Sequence, residues 1–491
     1  MTDINFTEET LDPIDWQPVK ELGAEMVNDM LSFLQTVRER KVWQPMKDEA
    51  IQFLEQPVPQ ESASPEDIYD EFKKFILPYP TGNIHPRFWG WVMGNGSAFA
   101  MLADMLASGM NINQGGGNQV GGRVEKQVIN WFKEIFSFPQ EASGIITSGG
   151  SMANLVCLNV ARYAKAKFDL RKKGIYGSEK RMMVYASAQV HNCVNKSVEL
   201  MGLGAESLRL IDTNDKYEID IEKLKQQIAK DRTDGLEPFC VIGNAVTVST
   251  GACDNLEALA DICKEEDLWF HVDGAIGALL VLSETQNHFV KGIERADSIA
   301  FDLHKWMYLP YEAGCAIVRN GKQHYQAFSL QADYLKHEER GLAAGDIWFS
   351  DYGVELSRGF KALKIWMSIK EHGVKKFGRL ITQNVLQVQY LKKLIEENEK
   401  LELMAPAPVN ICCFRYTDKS LSSDQLNTIN HELLLRLHES GVAVPTYATL
   451  NGNYTIRVAN TNHRSRREDF EILVNKVIEL GDEIKREMGD K

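Results

Sequence analysis

Two apolar runs in this sequence each deliver a chemically competent residue to their end. Leu268-Trp269-Phe270-His271-Val272 runs into Asp273, and Ser298-Ile299-Ala300-Phe301 is followed by Asp302, Leu303, His304 and Lys305. A lysine amine can hold an aldehyde cofactor as a Schiff base. A carboxylate facing a pyridine nitrogen keeps that nitrogen protonated, so the ring can act as an electron sink. One lysine among many carries no such meaning, because most lysines are solvated surface charges. The combination points to a pyridoxal 5'-phosphate (PLP) site with Lys305 as covalent anchor and Asp273 as partner of the ring nitrogen. Ser148-Gly149-Gly150-Ser151 follows a third apolar run and opens a helical stretch from Met152 to Lys165. Glycine lets a backbone approach closely, and the free N–H groups of a helix start suit a phosphate. Taken alone the tetrad is equally well a helix cap; beside Lys305 it reads as the seat of the cofactor phosphate.

These residues need a scaffold that brings strand ends together. From about residue 85 to 375, short apolar runs (144–147, 182–185, 239–242, 268–272, 298–301 and 315–318) alternate with helical stretches such as Leu256 to Lys264. That alternation predicts an α/β architecture with a doubly wound, mostly parallel sheet and ligands at the carboxyl ends of its strands. His191, Asp273 and Lys305 all fall there. Residues 1–84 read as helices punctuated by prolines at 45, 57, 59, 65, 78 and 80. Within them, Leu22, Met26, Met30, Phe33, Leu34 and Val37 space an amphipathic helix between Val19 and Arg40. From 376 to 491, strands near 411–416 and 455–459 flank long helices, which predicts a smaller α/β domain.

Composition sets limits. A chain of 491 residues with 44% hydrophobic and 25% charged residues is ordinary for a globular protein of two or three packed units. A net charge of −13 argues against a nucleic-acid partner. The densest basic run, His463 to Arg467, is followed at once by Glu468 and Asp469 and reads as a solvated helix start. The eight cysteines contain no Cys-x-x-Cys pair and read as reduced small hydrophobes, with no metal site expected. The acidic N-terminus lacks an apolar signal segment, and no run approaches the roughly eighteen apolar residues of a membrane span. A cytoplasmic location without membrane attachment is the default expectation.

The segments Phe301-Asp302-Leu303-His304-Lys305-Trp306, His271-Val272-Asp273-Gly274-Ala275, Ser148 to Asn154 and His85-Pro86-Arg87-Phe88-Trp89 together resemble the group II PLP-dependent amino-acid decarboxylases. That family includes the aromatic amino-acid, histidine, glutamate, cysteine-sulfinate and diaminobutyrate decarboxylases. The similarity runs in order from about residue 80 to about residue 470. It implies the PLP-dependent transferase-like fold of aspartate aminotransferase (fold type I). It also implies a homodimer, with the N-terminal helices wrapped over the partner subunit, and conversion of an L-amino acid to its amine and CO₂. By resemblance, Gly150, Ser151 and His304 reach the phosphate, and His191 stacks on the pyridine ring opposite Ala275. Thr247 lies near the cofactor. On the residues alone, His191 could instead cap a helix, and Thr247 could be a buried strand threonine.

Three departures qualify the resemblance. Phe349 stands where many aromatic decarboxylases carry a proton-donating tyrosine, in a candidate lid from Leu330 to Tyr352; Tyr352 or Tyr334 is the expected substitute. Without such an acid, the carbanion could react with oxygen to give an aldehyde. Asp302 replaces an asparagine found in some members. Trp91 and Val92 match an aromatic pair lining a substrate pocket, whereas Asn111 to Gln119 is polar and glycine-rich. Aromatic and acidic substrates are therefore both expected, aromatic ahead. Another PLP reaction, transamination or β-elimination, and a non-catalytic protein that keeps the fold are the rival readings. The His-Lys-Trp context disfavours the first and intact Lys305, Asp273 and His191 the second.

Overall fold

Seven strands assemble into the central sheet of the computed structural model, which describes residues 9–330, 338–345 and 347–489. In chain order they are β1 (Ser143–Thr147), β2 (Met182–Ser187), β3 (Leu208–Ile211), β4 (Glu237–Asn244), β5 (Trp269–Asp273), β6 (Ser298–Asp302) and β7 (Gly314–Val318). Their spatial order is β1-β7-β6-β5-β4-β2-β3. The pairings from β6 through β3 are parallel, and β7 runs antiparallel to both its neighbours. Strands buried on both faces carry unbroken apolar runs instead of alternation, and β2, β5, β6 and β7 are buried at every position. β3, with Arg209 and Leu210 less buried, is the edge strand that the apolar-run pattern did not flag.

Register decides where the chemistry falls. Asn244 of β4 sits opposite Asp273 of β5, and Asp273 opposite Ala300 of β6. Thr147 and Asp302 both pair with Gly314, one on each side of β7. The glycine turn after β1 and the lysine-bearing segment after β6 are thereby brought to one end of the sheet. Gly314 makes this approach possible, since a Cβ there would lie 2.5 Å from the Cα of Gly149.

The helix Gly150–Lys165 packs across β5, β6 and β7. Phe132 of the helix Val120–Ile135 and its C-cap Phe136 set their rings edge-on to Phe301, each at 5.0 Å. Such pairs add about 0.5–1.5 kcal/mol beyond area burial, and here they clamp the residue just before Asp302. A long helix, Lys361–Glu396, kinked at Gly373 (φ 66°), runs on to a second sheet. That sheet is antiparallel: β8 (Leu401–Leu403), β9 (Ile411–Tyr416), β10 (Thr446–Leu450) and β11 (Asn453–Ala459), in the order β10-β11-β9-β8. The helices Ser423–Ser440 and Arg467–Gly489 pack on it and against each other. The predicted N-terminal helix is present as Trp16–Gln35, followed by a 3-10 turn over Val37–Glu39, and none of the residues of Trp16–Gln35 is buried. No helix among the described residues is long and apolar enough to cross a membrane.

Candidate active site

The carboxyl ends of the parallel strands open into a cleft of about 880 Å³. His191, Asp273, Ala275, His304 and Lys305 line it, with Gly150, Ser151 and Thr247 at its floor and Trp91 and Val92 at its wall. Ten residues expected at the site from the sequence thus converge. Their local structure explains why.

β6 ends at Asp302, and the next four residues form a single helical turn, Leu303–Trp306. Trp306 and Leu303 are fully buried, which anchors the turn and leaves Lys305 half-buried and directed to the cleft. The indole Nε1 of Trp306 and the Tyr308 hydroxyl both donate to Asn384 Oδ1, at 3.1 and 2.9 Å. Lys305 Nζ lies 2.9 Å from Asp302 Oδ2. Burial lowers the pKa of the Lys305 ammonium, but the adjacent Asp302 carboxylate outweighs it, and the net shift is upward. His304 accepts from the Ala313 N–H through Nδ1 at 3.3 Å, lies 4.5 Å from the Tyr311 ring at a tilt of 37°, and is held below its ordinary pKa by burial.

β5 ends at Asp273, buried at 6% exposure. Its Oδ1 accepts from the Ala275 N–H at 3.1 Å, and among the described residues Oδ2 takes no hydrogen bond. His191 is the N-cap of the helix Asn192–Leu200, with Nδ1 accepting from the Cys193 N–H at 3.2 Å. The two readings of this histidine coincide: the cap fixes the ring, and the ring lines the cleft. With Nδ1 as acceptor, the neutral ring carries its proton on Nε2. Burial lowers its pKa. Thr247 is 1% exposed and closes its own turn, its N–H donating to Ala252 O at 2.7 Å and its Oγ1 accepting from the Ala252 N–H at 3.1 Å. It lines the cleft as a turn-former.

Glycine is required at 150. A Cβ there would stand 2.8 Å from Asp302 Oδ2 and 3.1 Å from the Ala275 Cβ. The helix it opens is tied back to β5, because Asn154 donates to Gly150 O at 2.8 Å and its Oδ1 lies 2.8 Å from His271 Nε2. Trp91 takes a left-handed conformation (φ 49°), and its carbonyl accepts from Arg457 Nη1 at 2.7 Å. All three nitrogens of buried Arg457 donate within the chain, to Trp91 O, Val248 O and Thr446 Oγ1, so this cation ties the two sheets together at the cleft wall.

Two expected site residues do not line this cleft. Phe349 and Tyr352 lie in one 3-10 turn, Phe349–Tyr352. Phe349 is 2% exposed beneath the Arg358 guanidinium, 5.4 Å from its ring centre. The Tyr352 ring meets His324 edge-on at 5.1 Å, and its carbonyl is 2.8 Å from His324 Nε2. Within one chain they act as packing residues of the β1 side. Tyr334 lies outside the described residues.

Sequence reasoning missed the buried pair Glu125–Arg358. Arg358 donates to both Glu125 oxygens at 3.0 and 2.6 Å and to Ile146 O at 2.5 Å, while the Ile146 N–H donates to Glu125 Oε1 at 3.0 Å. The pair stitches the end of β1, two residues before the glycine turn. No local signal links two residues so far apart in the chain.

The residues fit PLP. The glycine cradle suits a phosphate, Ala275 and His191 offer a small face and a ring, and Asp273 and Lys305 bring to the same cleft a carboxylate and an amine of the kinds the cofactor needs. Comparison with known proteins agrees. Residues 48–417 match the model of the pyridoxal-dependent decarboxylase conserved domain. Aromatic-L-amino-acid decarboxylase of Bacillus atrophaeus is 33% identical over 95% of this chain and 96% of its own. Tryptophan decarboxylase 2 of Oryza sativa subsp. japonica is 25% identical over 92% of each. The crystal structure of Oryza sativa TDC with PLP and tryptamine superposes with a TM-score of 0.89 at 24% identity, over 97% of this chain and all of that one.

Proposed function

The chain belongs to the pyridoxal-dependent decarboxylase family, and on that premise we propose that it converts an aromatic L-amino acid to its amine and CO₂. Bound PLP supplies the electron sink for the electrons that CO₂ leaves behind. Lys305 anchors it, Asp273 keeps the ring nitrogen charged, and His191 and Ala275 hold the ring flat between them. His191, with its proton on Nε2, is the neutral group on hand at the reacting face. Gly150, Ser151 and His304 are the phosphate contacts.

One observation carries the aromatic assignment. The cations lining the described cleft are Lys305 and Arg457; the first is committed to the cofactor, and the second turns each of its three nitrogens to its own chain. An acidic side chain meets no uncommitted cation there, and burying a carboxylate without a countercharge is costly. Trp91, Val92, Val246, Val248 and Ile276 offer apolar surface instead. The names of the relatives lean the same way. A panel of the twenty amino acids assayed for CO₂ and amine tests this. Release from tryptophan, tyrosine or phenylalanine at ten times or more the rate from glutamate is expected; the reverse order overturns it.

The reading extends to assembly and place. Leu11 and Ile14 are fully exposed, and Trp16, Met105, Leu106 and Met110 are exposed apolar residues on Trp16–Gln35 and Ala98–Met110. Exposed apolar residues gathered on two helices in this way suit an interface, which supports a homodimer with the N-terminal unit on the partner. The division into units 1–84, 85–375 and 376–491 and a cytoplasmic location belong to the same reading.

A further inference from the structure

Asp302 sits on the seat that an anion would take. Its Oδ1 accepts from the Gly150 N–H at 2.6 Å, the first amide of the helix Gly150–Lys165. Its Oδ2 pairs with Lys305 Nζ at 2.9 Å, and His304 Nε2 lies 3.7 Å from Oδ1. Amide, ammonium and imidazole are the groups expected to meet the cofactor, and a 4% exposed carboxylate already engages the first two, with the third beside it. A helix start favours one negative charge. A second anion brought beside the first is repelled, and weakly screened because the site is buried.

We infer that the Asp302 carboxylate is a latch on cofactor capture: it fills the anion seat at Gly150 and holds the Lys305 ammonium, and it must release both before a phosphate-bearing cofactor settles. The inference rests on the reading of Lys305 as the cofactor lysine. Asp273 across the cleft adds a further negative charge near Lys305, and neither His191 nor His304, both held below the ordinary imidazole pKa by burial, contributes a countercharge at neutral pH. An asparagine at 302 would keep the acceptor for Gly150 and drop the charge.

The test compares PLP with pyridoxal, which has the same ring and aldehyde but no phosphate, on full-length wild type, Asp302→Asn and Asp302→Ser freed of cofactor by dialysis. Condensation of the lysine amine with the aldehyde, a C=N bond forming and water leaving, is common to both ligands and cancels in the ratio of their dissociation constants. The pyridoxal-to-PLP ratio is expected to be about tenfold or more larger in Asp302→Asn than in wild type, the factor that corresponds to about 1.4 kcal/mol. Inorganic phosphate is likewise expected to raise the melting temperature of the variant more than that of wild type. A ratio that is unchanged or smaller overturns the latch and leaves Asp302 as a shaper of the glycine turn. Asp302→Ser carries the same comparison if Asp302→Asn does not fold. If neither folds, a wild-type ratio of about tenfold or less supports the latch and a larger one overturns it. Borohydride labelling separates the two readings: label on another lysine sinks the cofactor assignment, whereas label on Lys305 with an unchanged ratio sinks only the latch.

Discussion

Replacing Arg358 by methionine removes one half of a buried ion pair and leaves the other half stranded. Arg358 is 6% exposed and Glu125 1%, and their two hydrogen bonds are joined by those of Ile146 to each partner. Without Arg358, Glu125 keeps one backbone donor for a buried charge. Breaking a buried pair from one side costs about 3–5 kcal/mol, whereas replacing both partners with apolar groups is often close to neutral. We therefore expect Arg358→Met to lose about 3–5 kcal/mol and the double variant with Glu125→Met to recover at least about 2 kcal/mol of it. Urea unfolding of the cofactor-loaded protein, read at its first transition, measures both; a chain of this size need not unfold in one step. Because Ile146 lies two residues before Ser148, PLP affinity should fall with stability in the single variant and return in the double. A single-variant loss below about 1 kcal/mol, or a double variant less stable than the single, refutes the account of a buried pair holding the end of β1.

Asp273→Asn should retain bound PLP and lose most of its turnover, since an amide cannot keep the ring nitrogen charged; near wild-type kcat contradicts its role. Phe349→Tyr puts a hydroxyl into a packed site and should cost about 1–3 kcal/mol while leaving the amine-to-aldehyde ratio unchanged. Oxygen uptake and hydrogen peroxide measured beside CO₂ check this, and a shifted product ratio would return residue 349 to the chemistry. Among the histidines that burial holds well below 6.5 are His271, at about 3, and His85 and His324, at about 4. A depressed imidazole pKa means the unfolded chain binds the protons, so the stability tied to these groups is complete above pH 6.5 and drains as pH falls from there toward 4. About three extra protons should be taken up on unfolding at pH 5 through these groups, and His324→Asn should lower that number by about one; no change in the variant contradicts it.

Much of the site was legible because its chemistry is written at strand ends. Buried parallel strands are mostly apolar, so β5 and β6 stand out, and the polar residues that end each run, Asp273 and then Asp302 with His304 and Lys305, mark where the sheet stops. Other features had no local trace. The reversal of β7 is invisible because an apolar run has no direction, and β3 is too short and too polar at Arg209 to register. Glu125–Arg358 and the Arg457 ties to Trp91 and Val248 join residues hundreds of positions apart, which a single sequence cannot pair. Phe349 and Tyr352 were placed by spacing from the Arg358 segment. Spacing fixes position along the chain, not the face that a 3-10 turn presents, and here the turn faces His324 and Arg358.

The central claim is that Lys305 is the residue that holds the cofactor. Borohydride reduction of the purified protein with PLP, followed by proteolysis and mass spectrometry, tests it without assuming a substrate. The account predicts one pyridoxyl group per chain, on the peptide containing Lys305, and none in Lys305→Ala; label on any other lysine, or undiminished label in the variant, contradicts it.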